Sequence, residues 1–107
     1  MKVLFICGMN RMRSPTAEAM FSEYPGIEAS SAGTNVDADN PVSVDQIEWA
    51  DVVVAMEEVH RRKLQQRFSD QLKTKKIVVL GIPDEYGYMN PELVELLRER
   101  SSRFLKE

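Results

Sequence analysis

The nine residues CGMNRMRSP, from Cys7 to Pro15, hold a nucleophile and cations at a fixed spacing. Cys7 is the only cysteine of the chain, and five residues separate it from Arg13. A cysteine that ends an apolar run is ordinarily a structural residue. Here the residues after it point to chemistry. Five residues can curl the backbone so that successive N–H groups converge. A helix opening at Ser14-Pro15, with Ser14 as its cap, adds unpaired N–H groups and the positive end of its dipole. Gly8, Met9, Asn10, Arg11, Met12, Arg13 and Ser14 would then cradle a tetrahedral dianion, with the sulfur beneath it. Arg13 can hold two phosphate oxygens with its planar fork. The same cations favour a thiolate. Ser14 can donate its hydroxyl to the sulfur when it leaves. Asn10 suits a loop-shaping position, because asparagine tolerates positive φ. It reads equally as a simple turn residue. Arg11 reads first as a surface charge at the rim.

Cleaving a phosphomonoester in this way also needs a proton donor for the departing oxygen. Asp84, in GIPDEYG, is the candidate, with Glu85 as its local competitor. In this turn-like context Asp84 also reads as an ordinary turn residue.

The elements that must position these groups follow from the hydrophobic pattern. Lys2 to Ile6 is a short apolar run, as in a parallel-sheet strand buried on both faces. Ala17, Met20, Phe21 and Tyr24 form a stripe at helical spacing, stopped by Pro25-Gly26. Ile27 to Ser31 reads as a second strand closed by Gly33. TNVDADNP reads as a loop. Ser43 to Gln46 has capping-box spacing and opens a short helix through Ile47 and Trp49. Asp51 to Met56 is a third strand, followed by a helix to about Phe68. Lys76 to Gly81 is a fourth strand, and Asn90-Pro91 caps a last helix with Leu93, Leu96, Leu97 and Phe104 on one side. Strands alternating with helices imply an α/β fold: a four-stranded parallel sheet with helices on both faces and the phosphate-binding loop after strand 1. Ligands of such sheets bind beyond the carboxyl ends of strands. Cys7, Glu57 and Asp84 each follow a strand, so they are expected at one edge.

Composition limits the function. The 107 residues suffice for a single domain, 1–107. A net charge of −3 argues against a nucleic-acid partner. No apolar run approaches a membrane span, and the leading one is too short for a signal peptide. One cysteine forms no internal disulfide, which suits a reducing cytoplasm. With one cysteine and one histidine no metal site is expected, and the chemistry above needs no cofactor. His60 lies in a basic stretch and reads as a surface residue. No lysine or arginine occurs between Arg13 and Arg61, whereas RRKLQQRFSDQLKTKK is strongly basic. That run reads as a solvated helix face.

The CGMNRMRSP stretch, together with SSAGT (Ser30 to Thr34), ADVVVAME (Ala50 to Glu57) and IPDEY (Ile82 to Tyr86), resembles the low-molecular-weight protein tyrosine phosphatases. The resemblance extends over most of the chain. It implies Cys7 as nucleophile, Arg13 as phosphate-binding arginine, Ser14 as the residue assisting the thiolate and Asp84 as general acid. It implies that Asn10 stabilises the loop, that Ser31 supports Asn10, and that Glu57 braces the site. Tyr86 is a candidate for the substrate cleft, packing being the commoner use of a tyrosine. The function implied is hydrolysis of a phosphomonoester through phosphocysteine, with phosphotyrosine as the expected substrate. The partners implied are a phosphorylated protein or a small phosphate ester, with inhibition by phosphate-like oxyanions. The alternatives are a phosphoanion-binding module with little turnover and an arsenate reductase dependent on an external thiol. The chain departs from the family in a shortened region between its second and third strands. It has Asn35, Val36 and Asp37 where an aromatic residue is usual. Met12 stands where a second cysteine is frequent.

Overall fold

The computed structural model describes residues 1–105. Lys2–Cys7 forms the first strand, β1, and every residue from Val3 to Cys7 is buried. A strand can be apolar throughout only if both faces of its sheet are covered. The elements that follow are α1 (Arg13–Phe21), β2 (Glu28–Gly33), α2 (Val44–Trp49), β3 (Val52–Ala55), α3 (Glu58–Leu72), β4 (Lys76–Val79) and α4 (Pro91–Leu105). The sheet runs β2-β1-β3-β4, and all three strand pairs are parallel. This is the expected fold, a four-stranded parallel sheet between helices.

The two-residue period of β1 divides the core. Val3, Phe5 and Cys7 join Ala17 and Phe21 of α1 and Leu93, Leu97 and Phe104 of α4. Leu4 and Ile6 join Ile47 of α2 and Leu64, Phe68 and Leu72 of α3. Each such buried side chain contributes about 1.5–3 kcal/mol of transfer free energy. Phe5 and Phe21 stack with ring centroids 5.5 Å apart, fixing α1 over β1.

The chain crosses from β1 to β2 on one side and reaches β3 on the other. Strand order therefore reverses at β1, and the crevice this leaves at its carboxyl end is where Cys7 lies. No helix among the described residues is long and apolar enough to cross a membrane.

Several boundaries differ from the sequence reading. β2 begins at Glu28 rather than Ile27 and continues to Gly33. α3 runs past Phe68 to Leu72, but Phe68 itself is non-helical (φ −130°, ψ 36°). The helix breaks there, and Leu64, Phe68 and Leu72 still turn to one core. Ser14 is not the cap of α1. Met12 occupies that position without a side-chain hydrogen bond, and Pro15 is the third helical residue. The Ser14 hydroxyl is committed elsewhere, as described below. The expected caps of α2 and α4 are present. Ser43 and Gln46 form the capping box, and Asn90 Oδ1 accepts from Glu92 N at 2.8 Å.

Candidate active site

The loop between β1 and α1 owes its shape to the segment after β2. Thr34 N donates to Cys7 O (2.9 Å), Asn35 N to Gly8 O (3.0 Å) and Asp39 N to Met9 O (3.0 Å). A trans peptide points its N–H opposite to its C=O. With the carbonyls of Cys7, Gly8 and Met9 drawn to residues 34–39, the N–H groups of Gly8, Met9 and Asn10 turn the other way. The Asn10 N–H shows where they point, since it reaches Cys7 Sγ at 3.3 Å. Asn10 adopts φ 58°, the left-handed conformation that asparagine tolerates. Gly33 makes the approach of the two segments possible. A Cβ there would stand 2.4 Å from Gly8 O.

Cys7 Sγ is buried at the base of this loop and lies 2.9 Å from Ser14 Oγ. Asn10 Nδ2 donates to the same hydroxyl oxygen at 2.9 Å, which leaves the hydroxyl hydrogen for the sulfur. The sulfur thus has two donors, a backbone amide and a hydroxyl.

Arg13 is buried in the first turn of α1. Its Nη1 donates to Glu57 Oε1 (2.7 Å) and to Ile82 O (2.6 Å). Glu57 follows β3 and Ile82 follows β4, so two strand ends meet on one guanidinium. With Nη1 taken, the Nε and Nη2 edge is left for a ligand. Asp84 Oδ1 lies 3.8 Å from Nε, and its side chain is 71% exposed. A cleft of about 450 Å³ opens over the sulfur, lined among others by Arg13, Glu57, His60 and Asp84. Topology has brought the candidate nucleophile, cation and acid to one edge, as the sequence implied.

His60 is a correction: it is buried and lines the cleft. Its Nδ1 accepts from Glu57 N at 3.0 Å, capping α3. Burial, reinforced by the Arg13 charge and opposed by Glu57, pushes its pKa down to about 4. The ring is therefore neutral at pH 7, with its proton on Nε2. The Glu57-to-His60 spacing, that of a cap and its third helical residue, was the available signal.

Ser31 is also corrected. Its hydroxyl donates to Glu18 Oε1 at 2.5 Å rather than supporting Asn10, because the Asn10 side chain is turned toward Ser14. Tyr86 does not face the cleft. It lines a separate surface hollow with Pro91, Glu92, Glu95 and Leu96, where the start of α4 covers it. Glu85 is exposed and does not line the cleft over the sulfur. Arg11 stands exposed at the rim, its Nε 3.2 Å from Asp39 Oδ1, and the Met12 side chain is exposed beside it. The sequence reading did not single out Val59 or Lys63, which also line the cleft. No residue type or spacing distinguishes them from an ordinary helix surface.

The sequence model described as low molecular weight phosphotyrosine protein phosphatase matches residues 2–48. No curated protein matches the chain. Among solved structures, a YwlE mutant from Bacillus subtilis is 25% identical with a TM-score of 0.76, over 100% of this chain and 99% of that one. The YwlE arginine phosphatase from Geobacillus stearothermophilus is 25% identical with a TM-score of 0.76, over 98% and 92% of the two chains. The tyrosine phosphatase Wzb from Escherichia coli K30, in complex with phosphate, shares the fold with a TM-score of 0.77 at 21% identity, over 96% and 94%. The first part of the chain thus matches the low molecular weight phosphotyrosine protein phosphatase model, and the chain as a whole has the fold of these phosphatase structures.

Proposed function

We propose that this chain is a single phosphatase domain, residues 1–107, that hydrolyses phosphomonoesters through a phosphocysteine on Cys7. The observation that carries the reading is the sulfur held at the centre of inward-turned amides, with Asn10 N–H and Ser14 Oγ within hydrogen-bond reach. In the first step the Cys7 thiolate attacks phosphorus and the P–O ester bond breaks. Its electron pair leaves with the alcohol or phenol oxygen, which takes a proton from Asp84. The N–H groups of Gly8 to Arg13 and the Nε–Nη2 edge of Arg13 hold the phosphoryl oxygens throughout. Ser14, Arg11 and Met12 complete the loop around them. In the second step the Asp84 carboxylate takes a proton from water, the water oxygen bonds to phosphorus, and the P–S bond breaks. Ser14 donates its hydroxyl to the departing sulfur. Glu57 braces Arg13, and phosphate-like oxyanions compete for the same amides. The chemistry requires a reduced thiol, so we place it in the cytoplasm.

The substrate is a phosphorylated side chain or a small phosphate ester, with phosphotyrosine the first reading. Phosphoarginine is the second, and one observation favours it. No phenylalanine, tyrosine or tryptophan side chain lines the cleft among the described residues; Met9, Met12 and Val59 supply its apolar wall. A phosphotyrosine ring would find no phenyl, phenol or indole ring there, whereas the Asp84 carboxylate suits a guanidino leaving group. The neighbour from Geobacillus is an arginine phosphatase.

The test compares single turnover of phosphotyrosine, phosphoserine and phosphoarginine peptides by the wild type and Cys7→Ser. The wild type is expected to form a covalent phosphoenzyme and release phosphate from at least one peptide. Cys7→Ser is expected to lose turnover while inorganic phosphate still binds. A wild type that binds phosphate without forming the intermediate would make the chain a binding module instead.

A further inference from the structure

The segment carrying Asp84 runs from the end of β4 to the start of α4; hydrogen bonds hold it at two places, and Tyr86 between them packs against the core. At its root, Leu80 N donates to Ala55 O (3.0 Å) and Ile82 N to Met56 O (2.8 Å), continuing the sheet ladder. Arginines hold the carbonyls on the other side: Arg100 Nη1 those of Leu80 (3.0 Å) and Gly81 (2.6 Å), and Arg13 Nη1 that of Ile82 (2.6 Å). At its far end the backbone turns at Met89, whose φ of 60° is costly for any side chain but glycine. Met89 N donates to Thr16 Oγ1 at 2.9 Å. Thr16 is fully buried in α1, and its own hydroxyl donates to Met12 O at 2.6 Å. One hydroxyl therefore joins the last carbonyl of the phosphate loop to the far end of the Asp84 segment. Between the two anchors Asp84 is largely exposed.

We propose that Thr16 is a positioning residue, a strap that holds the Asp84 segment over the phosphate loop so that the carboxyl reaches the leaving oxygen. The proposal rests on the reading of Asp84 as general acid. A carboxyl on a loop held only at its root and by packing farther along samples more positions than one with its far turn also bonded, and proton transfer needs one of them. The second tether restricts the segment without touching substrate. Threonine suits the position because one hydroxyl can donate to Met12 O and accept from Met89 N together.

The experiment compares Thr16→Val and Thr16→Ser with the wild type on two substrates. Phenyl phosphate needs a proton on its leaving oxygen; p-nitrophenyl phosphate departs with less help. Thr16→Val is expected to lower kcat/KM, which reports the first step alone, roughly tenfold on phenyl phosphate, part of the ~10²–10⁴ available to a general acid. On p-nitrophenyl phosphate kcat/KM should stay within about twofold, with inhibition by inorganic phosphate unchanged. Thr16→Ser should restore wild-type behaviour. Amide hydrogen exchange at Met89 should be fast in Thr16→Val and slow in the other two. An equal loss on both substrates would mean that Thr16 shapes the phosphate loop, and the proposal would be wrong. Unchanged Met89 exchange, or unchanged kcat/KM on phenyl phosphate despite faster exchange, would overturn it too. Asp84→Asn run in parallel separates the two assignments. If it shows no dependence on the leaving group, the acid itself is misassigned and the strap falls with it. If it shows the dependence while Thr16→Val is silent, the strap alone is refuted.

Discussion

Gly33→Ala tests whether the segment after β2 builds the phosphate loop or only lies beside it. An added Cβ would stand 2.4 Å from Gly8 O, 2.6 Å from Ala38 Cβ and 3.1 Å from Asn10 N. Ordinary contact begins at 3.4 Å, so the Gly8 carbonyl must retreat by about 1 Å. Neither the carbonyl nor the amide is the end of a flexible side chain. The carbonyl is hydrogen-bonded to Asn35 N at 3.0 Å, and moving it rotates the peptide that carries the Met9 N–H. Overpacking of this kind costs about 1–3 kcal/mol of stability. A displacement of about 1 Å in a group that positions a reacting centre costs on the order of 10²-fold in rate. Gly33→Ala is therefore expected to lower kcat/KM on p-nitrophenyl phosphate by roughly 10²-fold. Its urea midpoint should fall as well, and affinity for inorganic phosphate should weaken in parallel. A folded Gly33→Ala protein with wild-type kcat/KM would refute the account. So would a variant that loses stability but keeps full activity in its folded fraction, since the loop would then not have absorbed the shift.

Two other expectations follow from the site. Asp84→Asn should lower kcat/KM on phenyl phosphate by roughly 10²–10⁴ and much less on p-nitrophenyl phosphate. Glu85→Gln should be near neutral on both, and the reverse pattern would move the acid by one residue. His60, with its pKa pushed down from 6.5 to about 4, resists protonation in the fold and accepts it in the unfolded chain. Between those values the unfolded state binds more protons, so stability is full above about pH 6.5 and declines as pH falls toward about 4. The ceiling is roughly 3 kcal/mol at about 1.4 kcal/mol per pH unit, lowered by solvent reaching the ring from the cleft. The urea midpoint should drop between about pH 7 and pH 5, and the drop should be smaller in His60→Gln, which keeps a cap acceptor. Equal drops in both proteins would show that His60 titrates as an exposed histidine.

The parts of this fold that side-chain pattern encodes were legible in the sequence. Val3 to Cys7, Val52 to Ala55 and the stripe of α4 are runs or periods of apolar residues, and burial alone requires them to be where they are. Asn10 was legible because its residue type matches a backbone demand, φ 58°. What was not legible rests on the backbone or on partners distant in the chain. Residues 34–39 shape the phosphate loop through main-chain N–H groups, which any residue but proline supplies. Ser31 has an ordinary strand sequence around it, and nothing local names Glu18 rather than Asn10 as its partner. His60 misled because its neighbours in sequence are charged. Its helix nevertheless turns that position to the cleft, where the ring caps Glu57 N. Thr16 looks like one more small residue in α1, and its partner Met89 is 73 residues away.

Arg13 shows why the fold must come first and the phosphate second. A guanidinium that is 4% exposed needs acceptors of its own, or its burial would be prohibitive. Glu57 and the Ile82 carbonyl supply them, both on Nη1. Those two acceptors fix the plane of the fork, so the free edge is aimed before any ligand arrives. A lysine would have one nitrogen to divide among Glu57, Ile82 O and a phosphate oxygen, with no plane to orient. Glu57 also offsets the positive charge that the loop amides and the helix start concentrate on the sulfur. It does so from the Nη1 side, away from the edge left for the dianion. Charge neutralisation and the proposed phosphate binding thus use different atoms of the same group. The site can tolerate a buried cation without giving up the cation's function, and the two strand ends that hold it, β3 through Glu57 and β4 through Ile82, thereby fix the base from which Asp84 extends.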